Sequence, residues 1–95
     1  MAAYIFGNVE VTDPVAYAEY TRQVPATIAA YGGRYLARGG ASTVLEGDSA
    51  LNRIVILEFA DMAQLKAWYH SAEYRPLLEI RERAAKSSLV AVEGV

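Results

Sequence analysis

Any step that needs an imidazole must use His70, the one histidine in the sequence. It sits in Trp68-Tyr69-His70-Ser71, where a break between helical segments is expected and a side chain can point into a cleft. A histidine with its ordinary pKa of about 6.5 exchanges protons near neutral pH, so His70 is a candidate general acid or base. The plainer reading is a surface histidine near a helix end. Glu10 and Glu58 are the candidate carboxylates, because they occupy corresponding ends of two apparent strands and fall on the same side-chain strip. One of them is either buried with a raised pKa, in which case Glu58 can serve as a catalytic base, or paired with an arginine. The plain alternative is a solvated strand end. Arg38 can serve this pair if the connection that follows it is long; with a tight turn, Glu46 faces Arg53 as a cross-strand ion pair instead. Tyr20, Tyr69 and Tyr74, with Tyr17 and Tyr31, offer both apolar contact and a hydroxyl, and with Arg38 they are the candidate substrate-binding residues. At helical spacing the same aromatics are also what a plain core looks like.

The rest of the inventory closes other routes. Without cysteine there are no disulfides, thiolate metal sites or cysteine nucleophiles. One histidine gives poor ligand density for zinc or non-haem iron, so no metal, haem or flavin is expected to be needed for folding. The glycine pairs read as turns and caps, because no dinucleotide fingerprint or phosphate loop surrounds them. A net charge of -2 gives no electrostatic reason to bind nucleic acid or an anionic membrane. Arg75, Arg81, Arg83 and Lys86 alternate with Glu79 and Glu82 and read as a solvated helix face, with Glu79–Arg83 and Glu82–Lys86 as i,i+4 pairs. No apolar run approaches the roughly 20 residues of a membrane helix. No Lys or Arg precedes Arg22, so the apolar start lacks the charge of a signal peptide and a cytoplasmic protein is expected.

Residues 3 to 11 alternate with the period of a strand. Thr12-Asp13-Pro14 then starts a helix, with Asp13 as N-cap. Tyr17, Tyr20, Val24, Ile28 and Tyr31 form one stripe along it, Pro25 should kink or restart it, and Gly32-Gly33 ends it. Arg34 to Arg38 is the next strand, with a bulge or turn at Gly39-Gly40. Thr43 to Glu46 and Arg53 to Phe59 look extended on either side of a turn at Gly47-Asp48. Asp61 to Gln64 resembles a capping box opening a second helix with Leu65, Trp68 and Tyr69 inward. Ser71 and Pro76 mark a break before a further helix to about Ala85, and Leu89 to Glu93 is the last strand.

At an offset of 48, Glu10-Val11-Thr12-Asp13 aligns with Glu58-Phe59-Ala60-Asp61, and Tyr17 and Tyr20 align with Leu65 and Trp68. Two such halves joined by a hairpin predict one α+β domain over residues 1–95, a ferredoxin-like βαββαβ sandwich with its helices on one face of the sheet. Ile5, Gly7, Val9, Val11, Val55, Leu57 and Phe59 suit the covered side. The opposite strips carry Tyr4, Phe6, Ile54 and Ile56, too much apolar surface to leave in water, so a second copy is the expected cover. At 95 residues folding buries only about two thirds of the chain's surface, and pairing would add to that.

The stretch from Tyr4 to Gly94 resembles the family called domain of unknown function 1330, which belongs with the dimeric α/β-barrel proteins. The resemblance lies in Val9-Glu10-Val11-Thr12-Asp13-Pro14, Tyr31-Gly32-Gly33-Arg34, Arg38-Gly39-Gly40, Leu45-Glu46-Gly47, Glu58-Phe59, and Ala67-Trp68-Tyr69 with Ser71 and Glu73-Tyr74. It implies a ferredoxin-like subunit whose sheet packs on a second copy, and brings no established activity. Because dimeric α/β barrels include haem enzymes, it adds haem ligation to the readings of His70, although the family pattern also accepts Asn there. Two function classes follow. One is a homodimeric domain that binds a small organic molecule between helices and sheet. The other is a cofactor-independent enzyme of the monooxygenase, isomerase or decarboxylase type, using tyrosines, His70 and a carboxylate.

Overall fold

The computed structural model describes residues 1–48 and 50–95. Strand β1 (Ala3–Val11), helix α1 (Pro14–Ala30), strands β2 (Arg34–Arg38) and β3 (Arg53–Phe59), helices α2 (Met62–Tyr69) and α3 (Arg75–Ala84), and strand β4 (Ala85–Glu93) follow in that order. The strands form one sheet in the order β2-β3-β1-β4, with every neighbouring pair antiparallel. This is the ferredoxin-like arrangement, its second helical crossover split in two. Ser71 makes the split: its hydroxyl donates to the Trp68 carbonyl at 2.7 Å and accepts from the Tyr74 backbone N–H at 3.1 Å. Pro76 follows within the first turn of α3, where its missing N–H costs nothing.

The internal echo is structural. Asp13 and Asp61 each cap a helix, accepting from Ala16 N at 3.2 Å and Gln64 N at 2.8 Å. Tyr17 and Tyr20 on α1, and Leu65 and Trp68 on α2, all turn into the core beneath those caps. Phe59, Trp68 and Tyr74 are its largest fully buried side chains; the Trp68 and Tyr74 rings lie 4.1 Å apart and those of Phe59 and Trp68 5.5 Å. The polar tips in this layer are paired, Trp68 Nε1 donating to Thr27 Oγ1 at 3.0 Å and the Tyr20 and Tyr74 hydroxyls meeting at 2.8 Å.

Helix α1 does not restart at Pro25. The proline leaves the Thr21 carbonyl without its helical donor, and Arg38 Nη2 fills that place from β2 at 2.9 Å. Arg38 reaches α1 because β2 carries a bulge at Leu36, between the pairs Tyr35↔Leu57 and Ala37↔Ile56. A regular strand would set Arg34 and Arg38 on the same side; the extra residue puts Arg38 on the helix side with Tyr35 and leaves Arg34 on the open side with Glu58. The bulge thus falls earlier than the glycine pair at Gly39-Gly40.

Thr43 to Glu46 form no strand. Both edges of β3 are taken, by β2 and β1, so a further extended segment has nothing to pair with there. The connection after β2 is long, its far end tied by Asn8, which donates to the Ala50 carbonyl at 3.0 Å and accepts from Asn52 N at 3.1 Å. Glu46 and Arg53 form no ion pair among the described residues. The C-terminal charges also differ from a solvated helix face: Lys86 belongs to β4, and Arg81 is buried at 6% exposure. No ion pair joins Glu79 to Arg83 or Glu82 to Lys86 among the described residues.

Two stability predictions follow from this packing. A Cβ at Gly33 would stand 2.5 Å from Phe59 Cε1 and 2.9 Å from Ile28 Cγ2, both on core side chains. Gly33→Ala should therefore cost about 1–3 kcal/mol by urea denaturation, the usual penalty of overpacking. Pro25→Ala restores the helical donor to Thr21, so Arg38→Ala should destabilise the wild type by about 1 kcal/mol and the Pro25→Ala background by clearly less. Equal costs in the two backgrounds would show that the arginine does not substitute for the missing N–H.

Candidate functional site

The bulge, the split crossover and the aromatic core sort the candidate residues into four places. Tyr20 and Arg38 line a cavity of about 40 Å³ between α1 and the sheet, a volume that admits two or three waters. Tyr69 and His70 line a separate outer groove of about 280 Å³ between α2 and β4, with Leu65 and Val90. The two spaces share Ile5 and Leu89 as wall residues. Tyr74 lines neither; it is fully buried and holds the Tyr20 hydroxyl in place. Glu58 lies on the other face of the sheet.

Glu10 and Glu58 both end a strand, but those strands are antiparallel, so the two carboxylates stand at opposite ends of the sheet. Glu10 is exposed opposite Lys86, whereas Glu58 faces Tyr4 and accepts from Arg34 Nε at 2.7 Å. The Arg34 hydrogen bond holds the Glu58 carboxyl below the usual glutamate value. Of the two arrangements open to it, Glu58 adopts the arginine pair, which makes it a weaker base than an ordinary glutamate.

His70 is the C-cap of α2 and exposed. Arg75 Nη2 lies 2.8 Å from its Nδ1, and the Arg75 guanidinium also stacks over the Tyr69 ring at 5.4 Å. A guanidinium only donates, so Nδ1 accepts and the neutral ring carries its proton on Nε2. The groove thus presents one imidazole N–H and one phenol beside apolar walls. Among the described residues no three His, Cys, Asp or Glu side chains come together as a metal site requires, and no helix is long and apolar enough to cross a membrane.

Tyr17 lines the inner cavity too, along with three residues that sequence reasoning left out: Tyr35, Arg53 and Arg81. For Arg81 the signal was spacing. Tyr74, Leu77, Leu78, Arg81 and Ala84 are all buried on one stripe of α3, and the alternation of charges around Arg81 concealed that it lies on this stripe. Arg53 carried no comparable signal, because its position depends on where the long connection rejoins the sheet. Burial pushes the Tyr20 phenol up, with Tyr74 adding to the effect, and burial likewise raises Tyr35, so both remain protonated at neutral pH.

The same fold recurs in solved structures. A protein of unknown function from Rhodopseudomonas palustris is 20% identical and superposes with a TM-score of 0.79 over 99% of this chain and 82% of that one. A protein of unknown function from Jannaschia sp. CCS1, described as dimeric and ferredoxin-like, is 14% identical with a TM-score of 0.74 over 99% and 100% of the two chains. SnoaB, a cofactor-independent oxygenase from Streptomyces nogalater, is 12% identical with a TM-score of 0.69 over 99% and 93%. At these identities the likeness speaks for the fold. No protein of curated function matches the sequence significantly. A family model does match it over residues 2–95, and on that match the chain belongs to the family described as domain of unknown function DUF1330.

Proposed function

We propose that this chain is a cytoplasmic homodimer, two sheets packed as a dimeric α/β barrel, that binds a small organic molecule between its helices and its sheet. The cavity carries the binding reading. Protein interiors are close-packed, and here about 40 Å³ stays open in an otherwise dense aromatic layer, walled by apolar side chains and a few phenols and guanidiniums. The outer groove beside Tyr69 and His70 supplies a second wall set for the part of a ligand that extends toward solvent.

The open face of the sheet supports the dimer. Phe6, Leu36, Val90 and Val92 are 46%, 49%, 57% and 53% exposed, and the register sets Phe6 between Ile56 and Val90. An apolar patch of this kind marks an interaction surface, and its natural cover is an identical sheet. The description of the Jannaschia protein as dimeric points the same way.

A second reading, an enzyme that acts on the bound molecule without a cofactor, draws on the likeness to SnoaB. In it, Tyr20, Arg38 and Tyr69 would hold the substrate, Tyr74 would fix the Tyr20 hydroxyl, and His70 would exchange protons through Nε2 from the groove. Glu58 would serve only if the reacting centre lay at the subunit interface, because it opens to the uncovered face.

Light scattering at micromolar concentration should give about twice the 10.4 kDa chain mass. Ile56→Glu should lower it by placing an unpaired charge in the interface, and a wild-type monomer at high concentration would refute the dimer. Mass spectrometry of the purified protein should identify a bound small molecule. Tyr69→Ala should then weaken its binding more than His70→Asn does, because removing an aromatic wall forfeits about 25 cal/mol per Å² of contact while Asn roughly preserves size and polarity. The reverse order would show that the imidazole itself matters.

A further inference from the structure

The inner cavity holds an imbalance of charge. Arginines line it from three elements, Arg38 from β2, Arg53 from β3 and Arg81 from α3, and among the described residues no carboxylate does. Arg81 is more than nine-tenths buried, and the Nε atoms of Arg81 and Arg53 are buried with no hydrogen-bond partner. The ion pairs among the described residues, Arg22–Glu19 and Arg34–Glu58, lie elsewhere. What these cations meet instead are aromatic faces: Arg38 lies 4.6 Å from the Tyr35 ring, Arg53 5.7 Å from Tyr17, and Arg81 5.9 Å from Tyr20. Cation–π contact recovers only part of what a guanidinium loses on leaving water. Tyr20 and Tyr35 remain neutral phenols, so they supply no counter-charge.

The backbone makes room for this arrangement. Gly39 has φ +70, and a Cβ there would stand 2.5 Å from Arg53 Nη1, so the glycine lets that guanidinium lie against the chain. Arg38 spends one Nη on Thr21, whereas Arg81 meets the Tyr74 hydroxyl and the Nε atoms of Arg53 and Arg81 keep no partner among the described residues. Apolar surface from Val24, Ile28 and Trp68 completes the wall. Arg81 and Leu89 also line an outer cleft of about 290 Å³ bounded by Tyr69, Glu82 and Ser87. Glu82 faces that cleft and not the cavity.

We infer that the cavity takes the anionic group of a small organic acid, a carboxylate held by Arg53 and Arg81 with its apolar body extending past Ile5 and Leu89 toward the outer groove. This rests on the cavity being a ligand site and sets the class of ligand. A carboxylate supplies acceptors for the two unpartnered Nε–H groups, and the planar fork of arginine can donate to it in parallel hydrogen bonds.

The test uses the full chain and matched acids and amides: acetate, butyrate and benzoate against acetamide, butyramide and benzamide, by calorimetry and thermal denaturation. At least one acid should bind about tenfold or more tightly than its amide, which is the discrimination a charge-assisted hydrogen bond provides. Arg81→Met and Arg53→Met should each abolish that preference, and Arg81→Met should raise the melting temperature of the ligand-free protein by removing an uncompensated buried charge. Because Arg53 is only half-buried, its variant keeps the test decisive if Arg81→Met misfolds. Acid and amide binding equally well would overturn the anionic class while leaving the cavity a ligand site. Binding of none of the six would overturn both.

Discussion

The interior of this subunit is organised around a shortage of acid. The ion pairs among the described residues are exposed or on the open face, and the guanidiniums on the helix side must be satisfied by weaker partners. Arg38 takes a helix carbonyl that a proline left free, while Arg53 and Arg81 rest against phenol rings. The dense aromatic layer is therefore more than filling. Tyr17, Tyr20 and Tyr35 are what make three cations tolerable beside a hydrophobic core, and the Tyr20–Tyr74 hydroxyl pair fixes one of those rings in place.

The two faces of the sheet divide the work. On the helix side, alternation in β1 and β3 delivers Ile5, Val9, Leu57 and Phe59 to the core. On the other side the same alternation leaves Tyr4, Phe6, Ile54 and Ile56 as a broad apolar surface edged by the Arg34–Glu58 pair. One side suits enclosing a small molecule, the other suits meeting a flat, self-complementary partner.

Much of this was legible in the sequence because local signals and tertiary need agree. Asp13 and Asp61 cap the helices they appear to cap, the tyrosine stripe of α1 is buried, and the strips of β1 and β3 fall on the expected faces. What could not be read depended on partners distant in the chain. Thr43 to Glu46 has the look of a strand, but both edges of the β3 it would precede are already taken. Pro25 reads as a breaker because the donor that repairs the helix comes from another element. Arg81 reads as solvated because its charged neighbours surround it in sequence, though not in space. Glu58 and Arg38 seemed able to act together, and a shift in register set them on opposite faces.

That shift is one residue long. It comes from Leu36 standing outside the pairing, so it is a matter of register and not of residue type. Deleting Leu36 would straighten β2 yet leave Arg38 opposite Val55 on the helix side, whereas drawing Leu36 into the pairing opposite Ile56 would turn Arg38 outward, toward the face already holding Arg34. That re-pairing would strip α1 of its surrogate hydrogen bond, take one cation from the cavity and add another to the surface where two subunits are expected to meet. A slip of register at one residue of an edge strand is thus enough to move a charge from one side of the sheet to the other without altering the sequence.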